Sequence, residues 1–309
     1  MLCNIITEGM VGTENQCVGV ANALGVSAHI QQIGLNQPWR LLSPWLGYES
    51  ASTFTPKLSP PWPDLLLVSG RKSIAAARYI KKHNPETFTV FIQNPKTNCE
   101  QFDLVAAPFH DNIQGDNIIV TDAAPNKINN DVLGSEKRLF APIFEKLTLP
   151  RLAVLIGGNS KTHKLTREKT IKLSNRLKEL SQHYSLMVTT SRRTGAENNS
   201  ILKNTLIGEN IYFYDGNGSN PYLGMLAWAE KIIVTNDSVS MLSDAGTTGK
   251  PVYTIDLDGS STRFDRLYTH LSDLKIIRPL PKDGDLKTWH YTPLNDSQKI
   301  AEAIIARMG

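Results

Sequence analysis

The 309-residue sequence predicts an α/β protein built from two Rossmann-like parallel-sheet domains facing a cleft. Three observations predict it. Apolar runs such as LLLV at 65–68 and LAVLI at 152–156 are continuous rather than alternating, which fits strands buried on both faces. Segments of helical spacing separate these runs. The strand–helix rhythm also restarts after Pro150-Arg151, which sets the expected domains at 1–149 and 150–309.

Residues 3–7 read as a strand, 8–13 as a glycine-bearing loop, and 14–24 as a helix with Val18, Ala21 and Leu24 on one face. A strand is expected at 28–33. Residues 34–63 then break the rhythm with Pro38, Pro44, Pro56, Pro60, Pro61 and Pro63 among Trp39, Trp45 and Trp62. This predicts an irregular insertion whose tryptophans pack on the first domain. Strands follow at 64–69, 87–92, 104–106 and 118–120, with helices over 74–82 and 135–147. The second half opens with a strand at 152–156 and an amphipathic helix over 166–182 carrying Ile171, Leu173, Leu177 and Leu180. Strands at 185–189, 211–214, 232–235 and 252–255 alternate with helices over 196–206, 221–229 and the segment after Ser238. Gly246 to Pro251 supplies that last helix's stop. A final helix at 296–309 is expected to pack back on the first domain.

Composition excludes several classes. Forty per cent hydrophobic and 20% charged residues suit full-sized cores. No run approaches the roughly 20 apolar residues that span a bilayer. The opening MLCNIITEG lacks the basic-then-apolar pattern of a secretory leader. A cytoplasmic protein is therefore expected, peripheral on the inner membrane face if it contacts one. Cys3, Cys17 and Cys99 are odd in number and lack metal-ligand spacing, as reduced thiols do. Residues 1–147 hold 12 basic and 13 acidic side chains, against 21 and 16 in 148–309. A mildly basic second half suits a phosphate-bearing ligand and is too weak a bias for nucleic acid.

Three loops of the second half follow strands of one sheet, on the rim where open α/β sheets bind ligands. Gly157-Gly158-Asn159-Ser160-Lys161 lets backbone approach a phosphate and brings a lysine. Ser191-Arg192-Arg193-Thr194-Gly195 offers forked donors that match phosphate oxygens. Asn236-Asp237-Ser238 with Ser240 opens a helix, whose N-terminal N–H groups favour an anion. Asp237 is also suited to sugar hydroxyls, and Asp244 to a solvated helical face. In the first half, Gly9, Gly12, Thr13 and Glu14 place a carboxylate where a loop becomes a helix, suited either to taking a proton from an acceptor hydroxyl or to complementing the helix dipole. Arg71 sits on a neighbouring turn. His110-Asp111 is a second general-base candidate, set against a surface histidine with no role. No Ser/His/Asp triad, HExxH, CxxC or Walker loop is present. No divalent metal and no cofactor are expected.

Seven segments, from Gly9-x-x-Gly12-Thr13-Glu14-Asn15-Gln16 and Val68-Ser69-Gly70-Arg71-Lys72 to Thr235-Asn236-Asp237-Ser238-x-Ser240-Met241, resemble the elongated-mitochondria fission-factor family. Ile92-Gln93-Asn94-Pro95, Phe102-Asp103-Leu104-Val105-x-x-Pro108-Phe109-His110-Asp111, Leu155-Ile156-Gly157-Gly158 and Thr190-Ser191-Arg192-Arg193-Thr194 complete the set, in matching order. The insertion 34–63 matches little. The resemblance implies a GT-B-like glycosyltransferase fold, with Gly157, Gly158, Arg192, Asp237, Ser238 and Ser240 in donor-contacting positions. It also implies a nucleotide sugar as partner, since bacterial members are described as glycosyltransferases or nucleotide-sugar epimerases. Plant members act in membrane fission, which leaves a non-catalytic adaptor open.

The leading expectation is an inverting, metal-independent sugar transfer from a nucleotide-diphosphate donor to an acceptor hydroxyl deprotonated by Glu14. The alternatives are an epimerase of the same fold, using His110 and Asp111, and a membrane-recruited adaptor. Trp39, Arg40, Trp45 and Trp62 suit peripheral membrane contact or a lipid-linked acceptor.

Overall fold

In the computed structural model, which describes residues 1–148 and 150–309, the continuous apolar runs are strands covered on both faces. The chain begins β1 (Cys3–Thr7), α1 (Val11–Ala23) and β2 (Ala28–Gln32). The insertion follows as β3 (Gly34–Leu35), α2 (Trp39–Leu42) and β4 (Phe54–Thr55), β3 pairing antiparallel with β4. Then come β5 (Leu65–Val68), α3 (Ser73–His83), β6 (Phe88–Ile92), β7 (Leu104–Pro108) and β8 (Ile118–Thr121). All six long strands are parallel, in the order β2-β1-β5-β6-β7-β8. Side chains alternate between two cores, as the period of a strand requires. Ile5, Leu65, Leu67 and Val90 join Cys17 and Val20 of α1, while Ile6, Leu66, Val68 and Phe91 join Ile74 and Ile80 of α3.

The next stretch is α4 (Asn130–Leu139), α5 (Ala141–Phe144), β9 (Arg151–Ile156), α6 (Arg167–Leu180), β10 (Ser185–Thr190) and α7 (Ala196–Thr205). It continues through β11 (Ile211–Phe213), α8 (Tyr222–Trp228), β12 (Lys231–Thr235), α9 (Val239–Thr247), β13 (Val252–Ile255), α10 (Thr262–Asp273) and β14 (Ile277–Pro279). This second parallel sheet is ordered β11-β10-β9-β12-β13-β14, so strand order reverses between β9 and β12. The chain ends in α11 (Asp296–Met308).

The compact units are Met1–Lys127 with Asn295–Gly309, and Ile128–Leu294. The division therefore falls after Lys127 and not at Pro150, because α4 and α5 belong to the second core. Phe144 meets Tyr212 edge-on at 5.2 Å, Trp228 Nε1 donates to Lys137 O at 2.8 Å, and Phe140 lies where a side chain on Gly224 would stand. The last helix belongs to the first unit: Ile300 and Ile304 pack with Cys17 and Val20. Its Asp296 carboxylate accepts the N–H groups of Asp122 and Ala123 at 2.8 and 3.0 Å.

Other differences have local causes. The first helix begins at Val11, so Gly12 and Thr13 lie in its first turn with Glu14 rather than ahead of it. The single helix expected over 135–147 is two helices, with Pro142 opening the second. Helix α10 and strand β14 have no counterpart among the expected elements. Trp39 and Trp62 pack on the first core as expected, but Trp45 is 74% exposed.

Candidate functional site

The carboxyl end of the second sheet, at its β9/β12 reversal, draws together more of the expected residues than any other place. This is where open α/β sheets part their connections and leave a crevice for ligands. Thr235 ends β12 and accepts Gly157 N–H at 2.7 Å. Two residues on, the Asp237 carboxylate is fully buried and accepts Gly158 N–H at 3.0 Å on Oδ2. The same oxygen pairs with Arg193 Nη2 at 2.7 Å. Asn159 N–H donates to Arg193 O at 2.9 Å, and Thr194 Oγ1 donates to Gly157 O. Three loops are thus tied to one another through a single buried carboxylate.

This geometry gives several expected ligand contacts a different job. A Cβ on Gly157 would stand 2.1 Å from Asp237 Oδ1, and one on Gly158 2.2 Å from Arg193 O. The two glycines make room for Asp237 and for the Arg193 backbone. Asp237 itself is buried, and its Oδ1 has no hydrogen-bond partner among the described residues. Thr194 is buried. Asn236 is spent on the β13 loop, accepting Leu257 N–H at 2.9 Å and donating to Asp256 Oδ1 at 3.1 Å. Asp244 accepts the Tyr222 hydroxyl at 2.8 Å and is no solvated face.

The exposed side chains of these loops are Lys161 and Arg192, with Arg193 39% exposed, beside the start of α9. Ser238 caps that helix, accepting Met241 N–H at 3.4 Å, and Ser240 lies half-buried in its first turn. Helix N-terminus, forked guanidinium and lysine together make a positive rim suited to an oxyanion.

Two polar residues of this region went unrecognised in the sequence. His163, buried, has Nδ1 2.9 Å from Thr162 Oγ1 and its ring edge-on to Phe264 at 4.6 Å. Burial holds its imidazole below the ordinary histidine range, opposed by the charges of Asp237 and Asp265 and aided by Arg193. Tyr268 on α10 has a buried hydroxyl without a partner among the described residues, pushed up by burial and then by Asp256 and Asp237. The only sequence signal for His163 is its place six residues past Gly157, and Tyr268 lies on a helix that was not anticipated.

Asp-x-Asp pairs occur at Asp256–Asp258 and Asp283–Asp285. Asp258 pairs with Lys169 at 3.1 Å, and no group of three or more His, Cys, Asp or Glu is placed to hold a metal among the described residues.

On the first sheet, Glu14 Oε2 accepts Gln32 Nε2 at 2.9 Å. His110 is buried after β7, not a surface residue, and the Asp111 side chain beside it is 1% exposed with Lys96 Nζ at 4.0 Å. The structure does not bring Glu14 and His110 together. Their strands β1 and β7 are three spacings apart, about 14 Å. Gly9 and Gly12 flank the start of α1, Gly9 at φ +80° beside the Gln32 side chain and Gly12 exposed in the first turn with Thr13. Arg71 anchors the insertion by donating to Ser43 O and Arg40 O. No helix of the described residues is long and apolar enough to cross a membrane.

Solved structures share this fold at low identity. UDP-GlcNAc 2-epimerase of Methanocaldococcus jannaschii aligns over 99% of this chain and 100% of its own, at 13% identity and TM-score 0.51. The Neisseria meningitidis enzyme, solved with UDP-GlcNAc, aligns over the same shares at 13% and 0.50. Staphylococcus aureus MnaA, solved with UDP, covers 100% of this chain and 89% of its own at 11% and 0.52. The two parallel six-stranded sheets are those of the GT-B fold class. In sequence, the chain is 24% identical over 382 residues to the mitochondrial fission protein ELM1 of Arabidopsis thaliana, covering 97% of this chain and 89% of that one. An uncharacterised protein of Rickettsia prowazekii is 28% identical over 283 residues, with 78% and 79% covered. The family described as Mitochondrial fission ELM1 matches residues 11–308, and the chain belongs to that family.

Proposed function

We propose that the protein transfers a sugar from a nucleoside-diphosphate donor, inverting and without a metal, to an acceptor hydroxyl. The observation that carries this reading is the positive rim at the β9/β12 reversal, where Arg193 is held by buried Asp237 beside the start of α9. Lys161, Arg192, Arg193 and the α9 N-terminus would stabilise the departing diphosphate, whose charge grows as the glycosidic bond breaks. Glu14 would take the acceptor proton. UDP and UDP-GlcNAc, the ligands of the structural neighbours, make uridine nucleotides the first probes. The epimerase alternative needs an acid and a base on the two faces of one carbon, the roles expected of His110 and Asp111, which follow β7 as neighbours in the chain.

A thermal-shift series with UDP, GDP, ADP, CMP and their sugars tests donor binding. Ligand at a hundred times its dissociation constant stabilises the native state by about 2.7 kcal/mol. One nucleobase should raise the unfolding midpoint, Arg192→Ala should abolish that rise without lowering the ligand-free midpoint, and EDTA should leave the rise intact. If no nucleotide shifts the midpoint, the transferase reading falls and the adaptor stands.

A further inference from the structure

We propose that a pocket of about 230 Å³ on the first unit binds an organic phosphate, and that this is how the acceptor is recognised. As an assignment of the acceptor it rests on the transferase reading; the phosphate chemistry of the pocket does not. The pocket lies at the carboxyl ends of β5 and β6, beside the first sheet's own reversal between β1 and β5. Pro44, Trp45, Phe91 and Pro95 supply apolar walls, and Arg71 and Lys96 supply charge. Among the described residues that line it there is no carboxylate.

Arg71 has no carboxylate partner among the described residues, and Lys96 has Asp111 at the outer limit of an ion pair. The Arg71 guanidinium donates only to the backbone carbonyls of Ser43 and Arg40 among the described residues, which fixes its orientation without cancelling its charge. The Lys96 side chain is 70% exposed, and its one carboxylate neighbour, Asp111, is 4.0 Å away. A forked guanidinium and an ammonium around one cavity match a phosphate dianion better than a carboxylate. The loop presenting Lys96 is strained: Gln93 and Lys96 hold φ of 88° and 58°, a region that non-glycine residues seldom occupy and that clusters at ligand sites. Trp45, exposed where the other two tryptophans of the insertion pack, offers a flat face to a sugar or aryl ring. Leu41, Leu42 and Tyr48 of the same insertion are 68%, 50% and 92% exposed. The phosphate can therefore come from a soluble ester or from a lipid headgroup.

Calorimetric titration of the full chain with phenyl phosphate tests the soluble source, and sedimentation with phosphatidylcholine vesicles, with and without phosphatidic acid, tests the lipid one. Lys96→Asn removes the charge while keeping a residue tolerant of the left-handed backbone, and Trp45→Ala removes an exposed ring; both should unfold at the wild-type midpoint. Lys96→Asn should weaken phenyl phosphate or phosphatidic acid binding roughly fivefold, the scale of one exposed charge pair. Trp45→Ala should weaken phenyl phosphate more than inorganic phosphate. Binding to neither probe, or equal binding by wild type and both variants, overturns the proposal. Phosphate binding that responds to Lys96 without any nucleotide shift retires the transferase and keeps the pocket; a nucleotide shift without phosphate binding does the reverse.

Discussion

Asp237 organises the second rim from beneath. One of its oxygens holds both Gly158 N–H and Arg193, so removing its charge should release the guanidinium and the loop together. Asp237→Asn should cost about 2 kcal/mol in urea denaturation, less than a fully buried pair because Arg193 is partly solvated. It should also abolish any nucleotide shift, whereas Arg192→Ala should lose the shift alone. Gly158→Ala should cost about 3 kcal/mol by the same assay, since its Cβ would meet Arg193 O at 2.2 Å and backbone must move. A Gly158→Ala variant as stable as wild type would show that the loops are not packed this way. The glycine pair was legible in the sequence, but its reason was not: the atoms filling the space of the missing side chains come from residues 35 and more positions away.

Among elements, α11 depends on a carboxylate that is costly to bury. The Asp296 pKa is raised to about 6, chiefly by burial, which outweighs the two backbone N–H bonds; Asp122 adds to the rise and Lys299 opposes it. Because the folded pKa lies above the unfolded one, the contribution of Asp296 is fully present below pH 3.8 and is lost as pH rises through 6. Relative to Asp296→Asn, wild type should therefore lose about 2–3 kcal/mol between pH 4 and pH 7. Unfolding midpoints of the two proteins across that window check it, and a constant difference would refute it. The helix itself was readable from its periodicity. Its anchoring at Asp122 and Ala123, over 170 positions away in the chain, was not.

Across the whole molecule, the division after Lys127 has a direct test. A fragment of residues 128–294 keeps Phe140 and Phe144 in place over Gly224 and Tyr212, and should unfold cooperatively. A fragment of 150–309 lacks both rings and carries α11 without Cys17 and Val20, and should show no cooperative transition by circular dichroism. If the second fragment folds as well as the first, the division belongs nearer Pro150.

The sequence by itself determined the class of the fold, because continuous apolar runs and helical spacing are local patterns that a single stretch carries. LLLV at 65–68 demanded burial on both faces, and the prolines of 34–63 forbade a regular unit there. It also marked the loops of the second rim, since loops after parallel strands share one edge. Tertiary structure alone decided which residues of those loops face inward. Strand order sets β12 against β9, which places Asp237 under Gly157 and Gly158 and brings His163 and Tyr268 within reach of its charge; in the first sheet, three strand spacings separate β1 before Glu14 from β7 before His110. Such contacts join residues distant in the chain, and no local period encodes them.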